Sequence, residues 1–137
     1  MGTWDIGPFD NDTAADFSYR VDEAPVEEKA EVLRGAFREV VGTGGEYLDA
    51  DVAVEAIASA ALLAAQCPGG EPVTTSYGPK EPLPVLPAGL RPEAVAALDR
   101  VLVEPSELLE LWEESDGEEW KAGVRGLRAV LAGQGAS

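Results

Sequence analysis

The chain contains no histidine, a single cysteine, three lysines and one asparagine. Imidazole is the usual general base near neutral pH and the usual metal ligand. Its absence removes Ser-His and Cys-His nucleophiles and His-ligated metals from the chemistry available within the chain. Cys67 has no second thiol with which to form an internal disulfide or a thiolate metal site, and it reads as a bystander at a helix end. No apolar run approaches the ~18 residues of a membrane-spanning helix, and Met1 is not followed by a basic and then an apolar segment. These features lead us to expect a soluble, cytoplasmic protein without a leader.

Positive charge is scarce as well: ten Lys and Arg stand against 26 Asp and Glu, for a formal charge of −16. Such a field repels nucleic-acid backbones and anionic lipid, so neither is an expected partner. It suits simple solubility or a basic protein partner. The hydrophobic share of 45% in 137 residues describes one ordinary globular domain. Rich use of Ala, Gly, Val and Arg fits a high-GC genome.

Helical signals dominate, and no alternating pattern argues for a strand. Residues 1–12 carry Gly2, Gly7 and Pro8 and read as an extended lead-in, with Trp4 and Phe9 docking on the helices that follow. Asp10, Asn11, Asp12 and Thr13 are four consecutive candidate N-caps for a first helix over about 13–22. A second helix is expected from Pro25, with Val26, Ala30, Leu33, Phe37, Val40 and Val41 on its inward stripe and Gly42, Gly44 and Gly45 at its end. Asp49 is placed to cap a third helix over about 50–66. Eight of those 17 residues are Ala, and apolar residues surround the axis, so this helix should be the buried centre of a bundle.

Residues 67–90 hold six prolines and should form a loop. It either crosses over the bundle, packing Tyr77, Leu83, Val85 and Leu86, or offers Pro79 to Pro87 to an aromatic groove. A fourth helix over about 91–103 should turn Val95, Leu98, Val101 and Leu102 inward. Ser106 is the expected cap of a fifth helix with Leu108, Leu111 and Trp112 inward. Asp116 and Glu119 form a capping box opening a sixth, striped by Trp120, Val124, Leu127 and Leu131. The tail over 132–137 should fray. The expectation is therefore an all-α, single-domain bundle of five or six helices around the Ala-rich third helix.

Two acidic groups are candidate sites. Asp10, Asp12 and Asp16 could hold a divalent metal through carboxylate oxygens, though a calcium loop fails because Ala14 and Ala15 occupy its third-ligand and glycine positions. The segment 104–119 contains eight acids and no base, and Glu107, Glu110 and Glu114 are spaced to share one helix face. Such a face could receive a basic partner. Residues 42–45 lack the spacing and the Lys of a phosphate-binding loop, and no cofactor is expected.

The opening GTW-x-x-GPFDND-x-A, the Tyr47-Leu48-Asp49 before the Ala-rich helix, and the run from Ser106 to Glu114 containing Leu111-Trp112, followed by Trp120 and Leu127, resemble a bacterial family known as domain of unknown function 4259. Asp5 departs from the Gly common there. The resemblance implies a shared fold over nearly the whole chain, with Trp4, Phe9, Asn11, Trp112 and Trp120 as structural motif residues. It brings no established activity. The reading from sequence is a non-enzymatic interaction module with an acidic surface for a basic protein, immunity-like in one version. The alternative is a carboxylate-based metal-binding protein or hydrolase centred on the N-terminal Asp cluster.

Overall fold

The computed structural model describes residues 12–67, 83–87, 89–114 and 117–132. Six α-helices account for most of them: α1 (Asp12–Glu23), α2 (Lys29–Gly42), α3 (Ala50–Ala64), α4 (Leu90–Val101), α5 (Glu107–Glu113) and α6 (Glu118–Leu131). The described residues contain no strand, only a single parallel bridge between Leu48 and Ser106. None of their helices is long and apolar enough to cross a membrane. Trp4, Phe9, Asp10 and Asn11 lie outside the described residues, as do Tyr77, Asp116 and the tail beyond 132.

The all-α bundle organises around α3. Twelve of its 15 residues are buried, and α1, α2, α4, α5 and α6 all pack against it. Alanine makes this possible, because a methyl group lets neighbouring backbones approach from several sides at once. Asp49 caps α3 by accepting a hydrogen bond from the Asp51 amide at 2.9 Å. The buried Ser59 hydroxyl donates back to the Glu55 carbonyl at 2.8 Å, so the buried polar side chain in the middle of the helix is satisfied locally. Around this axis, α2, α3 and α4 pack on one another; α1 lies on α3 and α2, and α6 on α4 and α3.

The second helix departs from its sequence expectation at its start. Pro25 opens a separate 3₁₀ turn, Val26–Glu28, and α2 proper begins at Lys29. Val26 is consequently exposed rather than inward, and Val41 is exposed as well. Ala36 joins Leu33, Phe37 and Val40 in the buried stripe. The break has a cause in Lys29, whose side chain is only 3% exposed. Its ammonium donates to the carbonyls of Val21 at 2.5 Å and Asp22 at 3.2 Å, the last turn of α1. The Val21 carbonyl also accepts from the Ala24 amide at 3.3 Å, and the last turn of a helix carries the negative end of its dipole, so a cation is well placed there.

Only residues 83–87 of the Pro-rich stretch, beside Gly89, precede α4 within the described part. Gln66 grips them: its side-chain amide donates to the Pro84 carbonyl at 2.9 Å and accepts from the Leu86 amide at 2.9 Å. Leu86 is buried and Leu83 packs partly on the core, whereas Val85 points into solvent.

Candidate functional site

The acidic face sits where the α2–α3 loop meets the α4–α5 connection. Leu48 ties the two segments, its amide donating to the Pro105 carbonyl at 3.1 Å and its carbonyl accepting from the Glu107 amide at 2.9 Å. The Glu104–Pro105 peptide is cis. Beneath the bridge lies Arg100, the last-turn base of α4. Its guanidinium donates to four carbonyls: Gly44 at 2.8 Å, Glu46 at 2.7 Å, Val103 at 2.9 Å and Pro105 at 2.9 Å. A planar fork with five N–H groups can make all four bonds at once, which an ammonium with three donors cannot.

Helix α5 rises from this junction. Ser106 is buried and its hydroxyl accepts from the Leu109 amide at 3.5 Å, a long capping bond. The helix buries Leu108 and Leu109, leaves Trp112 partly buried, and turns Leu111 outward at 43% exposure. Sequence spacing had placed Leu111 inward. In a helix of seven residues with apolar groups at 108, 109, 111 and 112, contact with α3 selects the 108/109 edge.

The three carboxylates chosen from sequence occupy different situations. Glu107 is half-buried, and its Oε1 accepts from the Ala50 amide at 2.9 Å, at the first residue of α3. Negative charge is favoured at that helix N-terminus, so Glu107 has a structural task. Glu110 accepts a hydrogen bond from the Tyr47 hydroxyl at 3.0 Å. That bond, with the negative charge of Glu110 nearby, raises the Tyr47 phenol above its ordinary pKa. Glu114 is exposed. No base among the described residues forms an ion pair with any of the three. The neighbouring acids differ: Lys121 bridges Glu113 at 2.9 Å and Glu118 at 3.7 Å, and Glu113 raises the pKa of its ammonium.

Tyr47 stands beside this face at 55% exposure. The arrangement is thus an exposed phenol ring and an exposed leucine flanked by unneutralised carboxylates. Behind it, Trp112 and Trp120 stack with ring centroids 5.8 Å apart and planes 8° from parallel, joining α5 to α6. The turn between those helices brings Gly117 against the Trp112 backbone.

The N-terminal acids are not brought together in the described part. Asp10 lies outside it, the Asp12 side chain likewise, and Asp16 is exposed on α1. Among the described residues no three His, Cys, Asp or Glu side chains converge to hold a metal ion.

A family model described as a domain of unknown function (DUF4259) matches residues 2–123. The chain belongs to this family. The domain of unknown function 4259 match takes in the whole Tyr47–Arg100–α5 junction and ends within α6. No curated protein and no solved structure shows significant similarity to the chain. Sequence reasoning passed over Arg100 and Lys29, the two cations that set this architecture. Their only signal is charge scarcity, since in so acidic a chain each base has many potential uses.

Proposed function

We propose that this protein is a non-enzymatic binding module that receives a basic protein on the face formed by α5 and Tyr47. What carries the reading is the combination of exposed Tyr47 and Leu111 with Glu110 and Glu114, which no cation within the described chain neutralises. Interfaces draw most of their affinity from a few aromatic or apolar anchors, while surrounding charge sets orientation and association rate. Here the anchors are apolar and the rim is negative, and the −16 net charge extends the same field over longer range. Neutralising a basic toxin, as an immunity protein does, is one form this function takes.

The test is affinity capture by the full-length chain and by a variant carrying Glu110→Gln, Leu111→Ala and Glu114→Gln together. Glu107 is left intact because its carboxylate holds the start of α3. The expected result is retention of a basic protein at about 0.05 M salt, release by about 0.3 M, and no retention by the variant. Retention that ignores both salt and the triple substitution overturns the proposal.

A further inference from the structure

A different surface, between α2 and α4, has the opposite character. An open groove of about 420 Å³ runs there, lined by Phe37, Val41, Pro92 and Ala96, with Arg38 and Glu93 among its lining residues. Val41 is 46% exposed, so a large apolar side chain meets water beside it. The charge is close to balanced here, unlike on the α5 face. Apart from Lys29, buried against α1, and Arg100, turned into the α4–α5 junction, α2 and α4 carry three bases (Arg34, Arg38, Arg91) and four acids (Glu31, Glu39, Glu93, Asp99) within a chain of net charge −16.

Arg38 adds a second observation. Its Nε donates to Glu93 Oε1 at 3.2 Å, while the side chain stays 68% exposed and its two terminal nitrogens make no bond to the described residues. Glu39, next to it, is exposed. Gly35, earlier on the same helix, is also exposed, and a Cβ there would meet nothing within 4 Å. Glycine weakens a helix interior relative to alanine, and no internal contact requires it at this position.

We propose that this groove is where a second copy of the chain docks, about a two-fold axis. The argument is self-complementarity. A patch with an apolar centre and both charge signs can face its own image, as a two-fold contact demands, whereas the α5 face would meet its image with like charges. Two chains of −16 repel over most of their surfaces, and the mixed charge of the α2–α4 face lessens that repulsion there. Helix α6 is equally balanced, but its exposed Ala122, Gly123 and Gly126 supply no large apolar side chain.

Salt separates this contact from capture of a basic partner. Screening relieves repulsion between two anionic copies, so self-association tightens between about 0.05 and 0.5 M salt. Binding of a basic protein on α5 weakens over the same range. The experiment is sedimentation equilibrium of the full-length chain up to about 0.5 mM. The expected species has twice the 14.4 kDa chain mass. Val41→Glu and, separately, Ala96→Glu on the opposite wall should each weaken the dimer by about tenfold or more, with helix content unchanged by circular dichroism. Leu111→Glu, on the α5 face, should leave it intact. A chain monomeric at every concentration and salt overturns the proposal. So does a dimer that both groove variants leave intact or that Leu111→Glu dissociates.

Discussion

Replacing Arg100 with methionine removes one guanidinium and four hydrogen bonds while keeping most of the apolar stem. Hydrogen bonds to a charged donor contribute roughly 1.5–3 kcal/mol each, and a naive sum over four would reach about 6–12 kcal/mol. Geometry argues for much less. Gly44, Glu46 and Val103 are exposed residues, so water can take over at their carbonyls once the guanidinium leaves. The bond to Pro105 is part-buried, and that carbonyl also keeps the Leu48 amide at 3.1 Å. The expected loss is therefore about 2–3 kcal/mol, near one well-made charged bond plus the freeing of two loop segments. With a urea slope of about 1.5 kcal/mol/M, the unfolding midpoint should fall by about 1.3–2 M. Arg100→Lys should recover less than half of this, because a compact ammonium with three donors cannot match the fork's four bonds across the 44–46 and 103–105 segments. Hydrogen exchange gives a local readout, as the Leu48 and Glu107 amides close the bridge and should lose protection first. A methionine variant within about 0.5 kcal/mol of wild type, as at an ordinary surface site, would refute the clamp.

Gly117→Ala should destabilise by about 1–3 kcal/mol through overpacking, since the new Cβ would lie 2.8 Å from the Trp112 carbonyl oxygen and 2.9 Å from its carbonyl carbon. Gly126→Ala, inside α6 with nothing within 4 Å, should instead stabilise by about 0.5–1 kcal/mol, and thermal melts of the pair will give opposite signs. Glu107→Ala should cost about 1 kcal/mol by removing a carboxylate from the α3 N-terminus, against less than about 0.5 kcal/mol for Glu114→Ala. The Tyr47 phenol should titrate above its ordinary value near 10.0, and Glu110→Gln should bring it back down, as ultraviolet difference spectra can show. A pKa raised by folding favours the protonated phenol. The associated stability is thus complete below the unfolded pKa and lost as pH climbs through the folded one.

Much of this architecture is legible locally. Asp49 and Ser106 could be named as caps because their oxygens act within three residues, and the buried α3 follows from apolar residues on every side. The outward turn of Leu111 was not legible. Over seven residues a 3.6-residue period cannot choose between neighbouring edges, and the choice falls to contact with α3. Val26 misleads for a related reason, since Pro25 starts a turn whose helical phase does not continue into α2. Lys29 lies among acids and looks solvated. Its burial depends on carbonyls seven and eight residues away that only the folded α1 presents. Arg100 is least legible of all, because two of its acceptors lie 54 and 56 residues upstream. At the acidic face, spacing grouped Glu107, Glu110 and Glu114, and packing then divided them. One supports a helix, one engages a phenol, and one is exposed.

The burial of Lys29 also gives the molecule a built-in clock. The chain has three lysines, and this one closes the α1–α2 junction with its amine turned into the protein. An amine-reactive reagent can reach it only when α1 lifts away. Under dilute reagent, where reclosure outruns modification, the labelling rate at Lys29 reports the open population of that joint. At saturating reagent the labelling rate becomes the rate at which α1 detaches.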